Sequence, residues 1–223
     1  MSQMVETLAA AEKTVSSLTS RGSAKSALWI VMWLAIGFVF VTSEVLLMAD
    51  YPAYHAYRLQ LIADRFLLIP HATCGALALL SGPFQFSTRI RQKHLKLHRV
   101  LGRVYVFSVF IAASIALTIS WGRPLFVGTA VQASAWIICT TMAFITARNR
   151  QIPQHRQWMM RSYAVTFTFI SLRLLNLWPA YWDMSDTAFN YTITAVTFAS
   201  VLTVDIGISW REIITSRRNA AAR

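Results

Sequence analysis

The stretch "KHLKLHRVLGRVYVFSVFIAASIALTISW", residues 93–121, begins with basic residues and continues into a long apolar run. A transmembrane α-helix needs about 20 consecutive, mainly apolar residues, and the part from 99 to 121 meets that length. The strands of a membrane barrel are much shorter and alternate in polarity. The stretch therefore predicts a helix that spans a bilayer.

Other stretches of the chain have the same character. The predicted spans are 27–49, 66–87, 99–121, 126–146, 157–178 and 188–210. Only 13% of the 223 residues are charged, whereas a soluble domain carries about 25%. We therefore predict an all-α, polytopic membrane helix bundle of about six transmembrane helices. The predicted domains are an N-terminal tail (1–26), a transmembrane domain (27–210) and a basic C-terminal tail (211–223).

The positive charge is concentrated on one side of the predicted bundle. The formal net charge is +12, and most of the 21 Lys and Arg residues lie in both tails and in the connections around 89–103 and 148–161. Since cytoplasmic loops carry such an excess, both termini are predicted to be cytoplasmic. Anionic lipid headgroups are the expected partners of these residues. The charge therefore requires no nucleic acid.

A polar motif of 93–107 returns further along the chain. Residues 152–164 read "IPQHRQWMMRSYA". The shared residues are His98, Arg99, Arg103 and Tyr105 in the first stretch, and His155, Arg156, Arg161 and Tyr163 in the second. Both motifs stand at the cytoplasmic start of a predicted span. Two explanations remain open: a partial internal repeat, or basic residues that belong at cytoplasmic helix ends in any case.

The two histidines of the motif suggest a metal site. If spans three and five are neighbours, His98 and His155 could bind one haem iron between them. Haem b needs axial ligands and an apolar slot, and its propionates accept bidentate hydrogen bonds from arginine. The candidate arginines are Arg99, Arg103, Arg156 and Arg161. This hypothesis predicts electron exchange with a quinone or a redox partner subunit; alternatively, the histidines cap helix starts and meet lipid phosphates.

Ionisable residues inside the predicted spans form two sets by depth. The outer set is Glu44, His71 and Arg173, and the inner set is Asp205 with Arg103 or Arg161. Ionisable residues at such depths are rare and mark candidate functional sites. One interpretation is structural ion pairing, with Glu44 predicted to interact with Arg173. The others are a cofactor-free transporter that uses the outer set, and a structural or assembly protein.

The segments "HATCGALALLSGPFQF…LHRVLGRVY" and "HRQWMMRSYAVTFTFISLRL" resemble a family of bacterial predicted integral membrane proteins of unknown function, over roughly residues 66–175. The resemblance implies an inner-membrane protein of six or seven helices and no settled activity. A fainter similarity is to the transmembrane b-type cytochromes with two haems, where helices two and four hold one haem and helices three and five the other. Predicted span four lacks a histidine, so this similarity implies one haem, held by His98 and His155.

No sequence motif indicates a hydrolase or a nucleotide-driven protein. The chain has no nucleophile elbow, phosphate loop or zinc motif. Cys74 and Cys139 lie in different spans and are predicted to be packing residues. Whether the protein is an enzyme stays open at this point.

Overall fold

The computed structural model describes residues 29–30, 32–38, 41, 63–175, 178 and 184–221. The chain divides into two units, Met1–Tyr54 and His55–Arg223. In the first unit, residues 32–38 are helical. The helices of the second unit are α1 (Arg65–Gln85), α2 (Thr88–Lys93), α3 (Leu95–Ser120), α4 (Phe126–Arg148), α5 (Ile152–Leu175) and α6 (Asp186–Ala221). The described residues contain no strand, which confirms the predicted all-α class.

Four of the described helices are long and apolar enough to cross a membrane: α1, α3, α4 and the part of α6 that ends at Ser216. They make the protein multi-pass. The remaining long helix, α5, contains too many polar residues to qualify, and the predicted span 27–49 lies mostly outside the described residues. The number of about six spans therefore remains a prediction.

The helices of the second unit pack in a definite order. α1 packs on α3, α3 on α4, α4 on α5, and α6 on both α4 and α5, while α1 also meets α5. Short links reverse the chain between α3 and α4 and again between α4 and α5, so α3 and α5 run parallel. Helix α5 thus has neighbours on several sides, and many of its side chains are buried.

The connection between α1 and α3 contains the short helix α2, which the sequence analysis treated as a basic loop. Ser87 precedes it, and its Oγ accepts a hydrogen bond from the Ile90 N–H at 3.4 Å. A serine at this position satisfies one of the free N–H groups of the first turn. Helix α2 carries Arg91 and Lys93 in its last turn.

A proline near the end of α1 is matched by a tyrosine of α5. Pro83 has no N–H, so the carbonyl of Leu79 lacks its donor within the helix. The Tyr163 hydroxyl donates to that carbonyl at 3.2 Å. Gly82 makes this approach feasible, because an added Cβ would overlap the Tyr163 ring. Phe86 packs against the same ring edge-on, with centroids 5.6 Å apart.

Helix α6 caps the start of α4. Leu125, at the N-cap of α4, provides no side-chain hydrogen bond. Instead, the Gly128 N–H donates to Asn190 Oδ1 at 2.7 Å, and Asn190 Nδ2 donates to the Pro124 carbonyl at 2.7 Å. The first N–H groups of a helix need such partners from elsewhere. Asn190 therefore ties the first turn of α6 to the first turn of α4.

An ion pair lies at this same end of the bundle. Arg123, in the link between α3 and α4, contacts Asp64, just before α1, with 2.6 Å between Nη1 and Oδ2. Arg123 holds the pKa of the Asp64 carboxyl below its ordinary value, first by donating a hydrogen bond and then by its charge. Both groups lie outside the long apolar helices.

At the other end, α4 and α5 are joined by a tight turn. Arg150 adopts a left-handed conformation with φ 60°. The Gln151 N–H donates to the Thr146 carbonyl at 2.9 Å, and the Arg150 N–H donates to the Ala147 carbonyl at 3.2 Å. These are the two hydrogen bonds of a Schellman motif, which usually has glycine at the left-handed position. The turn brings the start of α5 back against the end of α4.

Candidate functional site

Buried hydroxyl groups join three helices in the interior of the second unit. Tyr105 of α3 contacts Ser162 Oγ at 2.7 Å and Thr166 Oγ1 at 2.8 Å, both on α5. Thr140 of α4 contacts the same Ser162 hydroxyl at 2.7 Å. Trp136 of α4 donates its indole N–H to Thr166 Oγ1 at 2.8 Å. We call these five residues the hydroxyl network.

The donors of the hydroxyl network can all be used at once. Thr166 donates to the Ser162 carbonyl at 3.0 Å, so its oxygen is left to accept from Trp136 and Tyr105. Ser162 then donates to Tyr105 and accepts from Thr140. Tyr105, Thr140 and Ser162 are completely buried. A buried polar network with every donor paired fixes the relative positions of its helices.

A second link of the same kind lies about half a turn beyond Thr166 on α5. Gln132 of α4 donates its side-chain amide to Thr168 of α5, and Thr168 donates to the Val165 carbonyl at 2.6 Å. Thr168 is almost completely buried. Helix α5 therefore presents its polar side chains to α3 and α4.

The hydroxyl network sets the register of the two motif histidines. His98 lies seven residues before Tyr105, and His155 lies seven residues before Ser162. Seven residues are about two helical turns, or about 10 Å, and return to nearly the same face. Because α3 and α5 are parallel and Tyr105 meets Ser162, His98 and His155 belong at one depth on facing sides. His98 lies within electrostatic reach of His155, which supports this placement.

The two imidazoles are oriented differently. His155 Nδ1 lies 2.8 Å from the Ala143 carbonyl. Since a carbonyl only accepts, Nδ1 carries a proton, and in the neutral ring Nε2 is then the acceptor. His98 Nδ1 is buried and has no hydrogen-bond partner among the residues that the structure describes. Next to it, Gln85 donates to the His98 backbone carbonyl at 3.3 Å.

The four candidate arginines are not equivalent. Arg161 donates from Nε to Asp205 at 2.7 Å, and its guanidinium lies 4.7 Å from the centre of the Trp158 ring. Of the two partners left open for Asp205, the structure thus selects Arg161, which is engaged there. Arg99, Arg103 and Arg156 are exposed. Arg91 of α2, which the sequence analysis did not select, lies within electrostatic reach of His98.

The outer set is only partly described. His71 donates from Nδ1 to the Ala112 carbonyl of α3 at 2.9 Å, and Arg173 lies 3.6 Å from the centre of the Phe169 ring. Glu44 lies outside the described residues, so its pairing with Arg173 stays a prediction. Ala112 is fourteen residues beyond His98 on α3, so His71 lies about 21 Å from the motif histidines along the bundle.

Among the described residues, no group of three or more His, Cys, Asp or Glu could hold a metal ion. Cys74 and Cys139 are free thiols, half-buried and buried respectively. A site for a bare metal ion is therefore not assembled in this part of the chain.

Sequence reasoning missed the residues that connect the helices. Tyr105 and Tyr163 were noticed as parts of the repeated motif but were not assigned partners. A usable signal was present, because Ser162 and Thr166 are four residues apart and share one face of a helix. Small hydroxyl residues at that spacing are typical of contacts between membrane helices.

The helix bundle, its apolar outer surface and its buried polar links define the class: an integral, multi-pass membrane protein. The chain belongs to the family described as "Predicted membrane protein (DUF2306)", whose model matches residues 68–207. This confirms the resemblance found in the sequence to a membrane protein family of unknown function. Comparison with curated proteins and with solved structures found no match.

Proposed function

We propose that this protein is a small membrane redox protein that holds one b-type haem between His98 and His155. The observation that carries the proposal is the register of α3 and α5. The contact of Tyr105 with Ser162 at 2.7 Å supports the proposal, because helix geometry then predicts similar depths for the two histidines on parallel helices. Bis-histidine haem sites in membrane bundles need two imidazoles arranged in this way.

The surroundings of His98 and His155 suit histidines that bind a haem iron. Metal-binding histidines commonly donate their other ring N–H to a backbone carbonyl, which fixes the tautomer and the ring orientation. His155 makes such a bond with Ala143. The His98 ring has a buried nitrogen without a partner among the described residues. Because a buried polar atom without a partner is costly, the position suits a ring that binds something else.

Arginines around the pair would hold the acidic groups of the haem. Arg91 and Arg99 lie within electrostatic reach of His98. Arg103 and Arg156 are exposed at the same end and remain candidates, whereas Arg161 is engaged by Asp205. Propionates accept charge-assisted hydrogen bonds from arginine. We therefore assign this role first to Arg91 and Arg99.

A bound haem would supply a one-electron couple near the end where the motif histidines lie. The chain's own contribution is to orient the imidazoles and to exclude water from the interior beside them. The exposed apolar residues of α3 include Val100, Phe107 and Ile111. They suit contact with lipid and would let a quinone approach laterally from the bilayer.

A redox partner subunit is the other candidate for electron exchange. We place the protein in the bacterial inner membrane with both termini in the cytoplasm.

The visible absorption spectrum tests this function. The protein purified in detergent from cells with ample haem should show a reduced-minus-oxidised spectrum of a bis-histidine haem. His98→Ala and His155→Ala should each abolish it. His94→Ala is the matched control, because His94 is an exposed histidine four residues before His98. A colourless wild-type protein would refute the proposal.

The second candidate is a structural or assembly protein without a cofactor. The hydroxyl network and the pair of Arg161 with Asp205 favour it, since both satisfy polar groups within the chain and fix helix neighbours. The transporter alternative rests on the outer set, where His71 donates to a backbone carbonyl. The spectrum separates the redox proposal from both, and loss of stability without loss of transport in His71→Ala would argue against the transporter.

A further inference from the structure

Tyr105 is the side chain of α3 that reaches α5 in the hydroxyl network. It contacts Ser162 and Thr166 there, and the separation of Tyr105 and Ser162 along the chain is 57 residues. His98 and His155 have the same separation. Since both pairs lie on the same two parallel helices, one contact fixes the alignment of the other.

A slip of one residue would destroy that alignment. It would move one helix by about 1.5 Å and rotate its side chains by about 100° relative to the other. His155 would then no longer face His98. Helix α3 packs mainly on α1 and α4, and α5 packs mainly on α4 and α6, so α3 and α5 touch each other little. The bonds from Tyr105 to Ser162 and Thr166 oppose a slip directly.

We propose that Tyr105, acting through Ser162, is a positioning residue that holds His98 and His155 in register for a shared ligand. This inference rests on the proposed haem site, and it assigns to the tyrosine of the motif a role distinct from helix packing. The completely buried hydroxyl of Tyr105 bonds to two residues of α5 and also lies next to Trp136 of α4, so its removal should loosen the α3–α5 alignment.

The test compares Tyr105→Phe with Tyr163→Phe. Both changes remove one buried hydroxyl, but the Tyr163 hydroxyl donates to the Leu79 carbonyl of α1, whereas the Tyr105 hydroxyl bonds to Ser162 and Thr166 of α5. Haem titration of the purified proteins gives the affinity. Loss of a residue that orients a metal ligand typically weakens binding by about tenfold or more, and we expect this loss in Tyr105→Phe only. A purely structural role would lower the melting temperature in both variants and leave both affinities alike.

A second measurement does not depend on haem. Spin labels are placed at Lys96 and Gln154, exposed positions near the starts of α3 and α5, in a chain without its two native cysteines. Pulsed electron-electron resonance on the haem-free protein then gives the distance between them. Tyr105→Phe should shift or broaden the distance distribution, whereas Tyr163→Phe should leave it unchanged. If Tyr105→Phe does not fold, Ser162→Ala replaces it, because it removes the partner hydroxyl and keeps the ring.

The two measurements separate the inference from the proposed function. An altered distance in Tyr105→Phe together with a wild-type chain that binds no haem would support the positioning role and refute the haem site. Haem binding in the wild type with unchanged distance and affinity in Tyr105→Phe would refute the positioning role and support the haem site.

Discussion

Helices α3 and α5 begin with the same motif at the same end of the bundle, yet they have opposite surroundings. Helix α3 exposes large apolar side chains such as Phe107 and Ile111 and is apolar enough to span a membrane. Helix α5 fails that criterion, and its buried face carries Ser162, Thr166 and Thr168. In this bundle, low hydropathy marks a helix shielded by its neighbours, because only lipid-facing positions must be apolar.

The largest contrast is expected between the equivalent arginines Arg161 and Arg103. Arg161→Ala would leave Asp205 unpaired within an apolar helix. An unpaired acid costs about 2.5–3.5 kcal/mol at a helix centre, and the loss here should be smaller because the Asp205 side chain is 42% exposed. Arg103→Ala should change the free energy of unfolding by less than about 0.5 kcal/mol, because Arg103 is exposed. Reversible unfolding of both variants in mixed micelles measures the difference. In the double variant with Asp205→Asn, part of the loss should return; simple additivity would mean that the pair does not couple.

The next largest loss of stability is expected where α1 closely approaches α5, at Gly82. In Gly82→Ala the new Cβ would overlap the Tyr163 ring, whose hydroxyl is held by Leu79. Such overpacking costs about 1–3 kcal/mol. Gly75→Ala on the same helix is the control, since its Cβ would meet no atom within 4 Å among the described residues. Equal melting temperatures for the two variants would contradict the described α1–α5 contact.

The polar face of α5 predicts a smaller effect. Thr166→Val removes the hydroxyl that accepts from Tyr105 and Trp136, and hydrogen bonds between membrane helices contribute about 0.6–1.7 kcal/mol. Thr118→Val in α3 is the counterpart, because Thr118 is exposed and bonds only within its own helix. We expect destabilisation in the first and little change in the second, by the same unfolding measurement. Greater destabilisation by Thr118→Val than by Thr166→Val would contradict the contrast drawn between α3 and α5.

The smallest effect is a pH dependence at the opposite end of the bundle. The pKa of Asp64 is lowered in the folded protein by the hydrogen bond from Arg123. Its stabilising contribution is therefore complete above the ordinary carboxyl pKa of about 3.9. It is lost as the pH falls through the lowered value. Arg123→Gln should lose this contribution near neutral pH and converge with the wild type in acid. If the stabilities of the wild type and Arg123→Gln differ by the same amount from neutral to acidic pH, the Asp64–Arg123 pair does not contribute.

Some of these features could be predicted from the sequence, and others could not. The lengths of the apolar stretches predicted α1, α3, α4 and most of α6. The depths of the ionisable residues limited the predicted partners of Asp205 to Arg103 and Arg161. Rotation about each helix axis has no simple signature in one sequence, so the meeting of Tyr105 with Ser162 was not foreseen. The link between Tyr163 and Leu79 requires α1 beside α5, which neither length nor charge indicates.

The partner of Arg161 has a consequence for biogenesis. Helix α5 is less apolar than the four candidate membrane-spanning helices, and its partly buried Arg161 guanidinium meets Asp205 only when α6 has been synthesised. We therefore expect the last two helices to leave the translocon as a hairpin rather than one after the other. Helix α5 has no cysteine of its own, so the test introduces one there in a chain without Cys74 and Cys139. It should react with a water-soluble thiol reagent in a nascent chain stopped before Asp186, and a chain completed through α6 should protect it.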